Sequence, residues 1–269
     1  MTKIEWADST INPVIGCSRV SPGCQNCYAE KMAWRLANNP VIPHGLRHQY
    51  RCVVTKDGWT GSTQFRPDEL LKPERWKNPR KIFVCSMSDL FHESAYPKMV
   101  LNVLTMAEKS PRHTFILLTK RPENALKIFG NYGLLPEFNG MTGSGERIPG
   151  NIWFGVTAEN QDEYNRRVPL LMQIPSAVHF VSVEPMLEEI RMSPPCQRCT
   201  SPTCKSCREK SMSPNWVICG AEQGPKARPM NMDWAIRLSN QCKAAGIPFF
   251  FKKNSHGVVV TGAPREFPK

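Results

Sequence analysis

Three cysteines near the N-terminus carry the clearest chemistry in the chain: Cys17, Cys24 and Cys27, spaced C-x6-C-x2-C. Thiolates are soft ligands that take zinc, copper or iron–sulfur clusters. A structural zinc site closes with four ligands, usually in two pairs, whereas three ligands leave one coordination position open. An open position is where a reacting molecule binds. The fourth ligand therefore decides what the site does. With His44, His48 or Cys52 in that place the site is a staple; with a cofactor there it is catalytic.

A second set, Cys196, Cys199, Cys204 and Cys207, reads C-x2-C-x4-C-x2-C and is complete in itself. Four soft ligands hold either Zn2+ or a second iron–sulfur cluster. Zinc is the expected occupant, because metal binding supplies the folding energy that a small Pro- and Ser-rich insert lacks. Lys205, Arg208 and Lys210 make this segment basic and suited to a phosphate backbone. Cys52, Cys85, Cys219 and Cys242 are scattered and read as ordinary buried thiols.

A third group of polar residues follows a series of apolar runs. Ser86, Ser88 and Asp89 come after 81–85, Lys120 and Arg121 after 114–118, and Thr157 and Glu159 after 152–156. Glu184 comes after 179–183, Gly220 and Glu222 after 216–219, and Lys252 and Lys253 after 248–251. Each run is short and rich in β-branched or aromatic residues, as in strands buried on both faces of a parallel sheet. Helical patterns lie between them at 28–37, 96–109, 161–172 and 233–245. Alternation of strand and helix specifies an α/β fold. The expectation is a partial (β/α)6-type TIM barrel of parallel strands with loop insertions, an open doubly wound sheet being the alternative. In both, ligands bind at the C-terminal ends of the strands, where these polar residues fall.

The first strand, expected at 10–15, runs into Cys17, and the helix at 28–37 begins directly after Cys27. The cysteine loop thus belongs at the mouth of the barrel, beside a helix N-terminus that favours thiolates. Lys77, Arg80 and Lys81 precede a strand and fall at the opposite end. Trp34, Tyr50 and Trp59 read as core residues or as surfaces for stacking bases. Segments 38–78, 130–150 and 191–214 break the alternation and read as loops. The last is a Cys-rich insert in one domain spanning 1–269.

A three-cysteine loop after the first strand of a partial barrel resembles the radical S-adenosylmethionine superfamily. Its usual spacing is C-x3-C-x2-C; here the first gap holds six residues, and Asn26 stands where an aromatic usually precedes the last cysteine. More closely, the chain resembles a family of phages and bacteria distantly related to spore photoproduct lyase. The likeness runs through Asn12-Pro13-Val14-Ile15-Gly16-Cys17, Ser86-Met87-Ser88-Asp89-Leu90-Phe91, Leu118-Thr119-Lys120-Arg121-Pro122 and Phe154-Gly155-Val156-Thr157-Ala158-Glu159-Asn160. It continues through Val181-Ser182-Val183-Glu184-Pro185 and Trp216-Val217-Ile218-Cys219-Gly220-Ala221-Glu222.

The resemblance implies a [4Fe–4S] cluster on Cys17, Cys24 and Cys27, with S-adenosylmethionine on the open iron. One electron, from a donor such as flavodoxin or ferredoxin, would release a 5′-deoxyadenosyl radical. By position, Ser86, Ser88 and Asp89 would lie near the methionine amino group, and Thr157 and Glu159 near the ribose. Gly220 and Glu222 would flank the adenine. Lys120 or Arg121 would meet the methionine carboxylate or a substrate phosphate. Glu184 joins this rim as a cofactor contact or as a paired barrel carboxylate. The implied function is a lyase- or transferase-type enzyme that repairs or modifies nucleic acid. The same radical chemistry on a small molecule or peptide, and a non-catalytic metal-stapled nucleic-acid-binding protein, stand as alternatives.

Bulk properties bound these readings. The chain has 269 residues, 41% hydrophobic, which suits one sizeable α/β domain. Disulfides are not expected in a long chain whose N-terminus lacks an apolar signal core, and a cytoplasmic location follows from the same features. No apolar run reaches the ~18 residues of a membrane span. Against 23 acidic residues stand 35 Lys and Arg, a net charge of +12, which favours a polyanionic partner such as nucleic acid.

Overall fold

The computed structural model describes residues 4–135, 148–192 and 213–268. They group into two compact units, Met1–Gly155 with Gln173–Ala177, and Val156–Met172 with Val178–Lys269.

In the first unit, β1 (Ser9–Ile11) lies parallel to β6 (Lys81–Val84), with Thr10 opposite Phe83, and β6 lies parallel to β7 (Thr114–Thr119), with Ile82 opposite Phe115. Phe115 N donates to Asn151 O (2.9 Å) at the start of β8 (Ile152–Thr157). The expected first strand is in fact two. Pro13 has no N–H with which to continue the ladder. The chain therefore leaves the sheet, and β2 (Val14–Ile15) pairs antiparallel with β5 (Gln64–Phe65).

The expected loop at 38–78 is instead structured. After α1 (Tyr28–Asn38) comes α2 (His44–Val53), then the hairpin of β3 (Val54–Thr55) and β4 (Gly58–Trp59). The α2 sequence is mostly polar. Its apolar face is Leu46, Tyr50 and Val53, spaced one helical turn apart. These pack on Ala29, Ala33 and Ala37, a small-residue stripe along α1, with Ile15 and Met87 closing the cluster. Tyr50 is therefore core, Trp59 packs against it, and Trp34 is 41% exposed.

Two further helices connect the strands of this unit. The α3 helix (Pro97–Lys109) buries Met99, Val103 and Met106 as the pattern predicts. The α4 helix (Pro122–Asn131) was not expected; Pro122 occupies its first turn, where a missing N–H costs nothing. Phe91 packs against Phe129 and Phe154, with ring centroids 5.6 and 5.3 Å away.

The second unit takes up β8 at Val156 and continues through α5 (Gln161–Leu171), β9 (Val178–Val183), β10 (Trp216–Cys219), α6 (Met232–Ala245) and β11 (Phe249–Phe251). All four residues of β10 are buried, and β10 is parallel to both β9 and β11. Asn160 caps α5 by accepting from Glu163 N, and Asn231 caps α6 by accepting from Asp233 N.

The sheet order is β1-β6-β7-β8 in the first unit and β8-β9-β10-β11 in the second. Each new strand of the seven-stranded sheet adds beside its predecessor. A doubly wound sheet reverses direction at a switch point; this one does not. The fold is the α/β partial (β/α) barrel, with seven parallel strands rather than six. Among the described residues no helix is long and apolar enough to cross a membrane.

Candidate site at the cysteine loop

Gly16 fixes the entry to the loop. Its φ is +95°, and a Cβ there would lie 2.3 Å from the Ser62 carbonyl oxygen and 2.8 Å from Val53 Cγ1. Glycine alone satisfies both constraints. Gly16 N donates to Met87 O (3.1 Å), and Ser88 Oγ donates to Val14 O (2.7 Å). Asn12 Oδ1 accepts from Ser86 Oγ (3.1 Å) and Met87 N (3.0 Å). Past the last cysteine, Tyr28 donates its hydroxyl to Ser86 O (2.8 Å). Both ends of the cysteine loop are thus tied to the turn after β6. Cys85, which opens that turn, adopts φ of 64°, a strained value for a residue with a Cβ.

Asp89 and Arg121 form the buried centre beneath the loop. Asp89 Oδ1 accepts from Thr119 Oγ1 (2.7 Å) and Phe91 N (3.1 Å); Oδ2 accepts from Lys120 N (3.0 Å) and Arg121 NH1 (3.2 Å). Arg121, 4% exposed, spends every donor it has. Its Nε donates to both oxygens of Glu93 (2.9 Å each), NH1 to Asp89 and to Cys17 Sγ (3.8 Å), and NH2 to Ser18 O (3.2 Å) and Ser18 Oγ (2.8 Å). Ser18 Oγ also lies 2.8 Å from His92 Nε2. Asp89 thus serves the protein's own scaffold, and Arg121 has no donor left for a methionine carboxylate or a phosphate.

The thiols Cys17, Cys24 and Cys27 are unpaired and partly buried. Burial, reinforced by the Asp89 charge and opposed by Arg121, pushes Cys17 up to about 12. Burial also raises Cys27, against the pull of the Glu30 and Ala29 amides at the start of α1. Cys24 ends a 3-10 turn, Pro22–Cys24, and its Sγ lies 3.9 Å from Ser21 Oγ. Arg19 pairs with Glu30 (2.5 Å) and lies within charge range of Cys27 and Cys24. Without metal Cys17 and Cys27 are thus held as thiols, and ligation displaces their protons. Among the described residues no three of His, Cys, Asp and Glu converge on a metal position. The donor set nonetheless fits a soft metal or an iron–sulfur cluster: three unpaired thiols on one anchored loop, with two guanidinium groups beside them.

In the second unit, the polar strand ends are paired. Thr157 O and Glu159 Oε2 accept from Arg167 NH1 (2.8 and 3.0 Å), and Arg167 and Glu159 are fully buried. Glu222 holds Arg228 in a two-pronged pair, Oε2 to Nε at 2.9 Å and Oε1 to NH2 at 2.5 Å. Glu184 pairs with Lys252. Gly220 lies between them: a Cβ there would meet Lys252 Cβ at 3.2 Å and Glu184 Cδ at 3.6 Å.

His44, His48 and Cys52 fall along α2, one turn apart; His48 Nε2 lies 3.8 Å from Cys52 Sγ. Cys52 is exposed, contrary to expectation, while Cys85, Cys219 and Cys242 are buried. Arg80 donates to Ser9 Oγ (2.9 Å) at the N-terminal end of β1, away from the cysteine loop. The set Cys196, Cys199, Cys204 and Cys207 lies outside the described residues.

The residues that sequence reasoning passed over are the partners: Ser18, His92, Glu93, Arg167 and Arg228. Ser18, His92 and Glu93 acquire their roles from contacts distant in sequence, as Arg121 does with Cys17, whereas Arg167 and Arg228 reach back eight and six positions to Glu159 and Glu222. No curated protein and no solved structure matches the chain. The family model described as "Protein of unknown function (DUF5131)" matches residues 1–261, and the chain accordingly belongs to the DUF5131 family.

Proposed function

We propose that this chain is a radical S-adenosylmethionine enzyme whose Cys17, Cys24 and Cys27 hold a [4Fe–4S] cluster, acting on nucleic acid. The observation that carries the reading is the cysteine loop itself: three unpaired thiols, anchored at both ends to the turn after a parallel strand and backed by a buried cation. When bound and reduced by one electron from a flavodoxin- or ferredoxin-type donor, the cluster with S-adenosylmethionine supplies a 5′-deoxyadenosyl radical.

The protein's own part is positioning and exclusion of water. Gly16 and the 86–88 turn hold the loop, Arg121 steadies Cys17, and Lys120 is the cation for an anionic group of cofactor or substrate. Ser86, Ser88, Thr157, Glu159, Glu184, Gly220 and Glu222 form the polar strand ends, with Glu159 and Glu222 acting through Arg167 and Arg228. Cys196, Cys199, Cys204 and Cys207 bind zinc as a separate staple. The net charge of +12 supports a polyanionic substrate.

Anaerobic reconstitution with ferrous iron and sulfide tests the cluster. The expected result is a brown protein whose broad visible absorption falls sharply when Cys17, Cys24 and Cys27 are all changed to Ala. A colourless protein that takes up zinc alone contradicts it. Binding to single-stranded DNA and RNA tests the substrate class. Affinity should fall about tenfold or more between 50 and 200 mM salt, through counterion release; salt-independent binding contradicts a polyanionic substrate.

A further inference from the structure

We propose that Arg121 is a positioning residue for the cluster, fixing the Cys17 sulfur and raising the reduction potential of the iron–sulfur group it ligates. This inference rests on the iron–sulfur reading above. Three observations carry it. Arg121 NH1 donates to Cys17 Sγ at 3.8 Å. The guanidinium is 4% exposed, so water screens it little. Its remaining donors are locked onto Asp89, Glu93 and Ser18, so the group cannot turn away from the sulfur.

A cluster ligated by thiolates is anionic, and gaining an electron makes it more so. A fixed positive charge and an N–H···S contact favour the reduced form. Asp89, 3.2 Å from the same NH1, works in the opposite sense, as does Glu93 from the far side of the guanidinium. The balance among the three charges sets the potential. Glu93 is the adjustable member: its side chain is 59% exposed and does not touch Cys17, so it can be neutralised without disturbing the ligand.

The test is a redox titration of the reconstituted protein with dithionite, followed by the EPR signal that is absent from Cys17→Ala. In this step the cluster takes one electron and dithionite is oxidised. Arg121→Met should disfavour reduction by about tenfold, 59 mV for a one-electron couple, by removing the cation and leaving Asp89 unopposed. Arg121→Lys, which keeps the charge without the fork, should lie between it and the wild type. Glu93→Gln should move the potential the other way, toward easier reduction, and it carries the test if Arg121→Met fails to fold. Coincident potentials in cluster-bearing wild type, Arg121→Lys and Glu93→Gln overturn this inference alone. A wild type that takes up no cluster overturns the reading beneath it, and the two failures are told apart by the iron content.

Discussion

Asp89 and Arg121 show how far a residue's type can mislead about its job. A carboxylate and a guanidinium at the ends of parallel strands suggest ligand contacts. Both are instead consumed by the scaffold, Asp89 with four acceptor contacts and Arg121 with all its donors. Spacing made the three cysteines legible; the contacts of Asp89 and Arg121 with Cys17 were not, because they bridge dozens of positions. His92 belongs to that hidden shell. Burial, with the Arg121 charge second and Glu93 and Asp89 opposing, lowers its pKa below the usual 6.5. Below about pH 6.5 the unfolded chain binds a proton that folded His92 refuses. Its contribution is therefore present above that pH and is lost as pH falls toward the folded value. Urea midpoints between pH 7.5 and 5.5 should drop further for wild type than for His92→Gln, whose amide can still meet Ser18. Parallel curves would contradict the buried, neutral imidazole.

Elements were legible where periodicity was strong. Six of the seven sheet strands lie within a residue of the apolar runs, because strands buried on both faces leave an unbroken apolar signature. The first strand was misread because its run crosses Pro13, which breaks the ladder without breaking the hydrophobicity. The α2 helix was missed because Leu46, Tyr50 and Val53 give it a thin apolar face among polar residues. The break at Pro13 is what brings Gly16 against the turn after β6. Gly16→Ala should cost at least about 2 kcal/mol in urea unfolding, combining a left-handed backbone with a backbone clash. Gly246→Ala is the internal comparison: φ is +68° but a Cβ there meets nothing within 4 Å, so about 1 kcal/mol is expected. Equal losses would mean that the close approach at Gly16 adds nothing.

At the scale of the molecule, the α/β class followed from the alternation of elements, while the strand order that separates a partial barrel from a doubly wound sheet is seen only in the structure. The division of the chain into two compact units left no mark in composition. The excess of basic residues is only partly a free surface charge. Arg121, Arg167 and Arg228 are bound to carboxylates beside the strand ends, so a polyanion must be met by other cations. All of this serves one claim, that the loop holding Cys17, Cys24 and Cys27 is a radical-generating site. The most direct measurement is the yield of 5′-deoxyadenosine from S-adenosylmethionine under anaerobic reduction with dithionite. The account predicts product from reconstituted wild type, none from Cys17→Ala, and retained product from Cys196→Ala. No product from a cluster-bearing wild type, or equal product from Cys17→Ala, would contradict it.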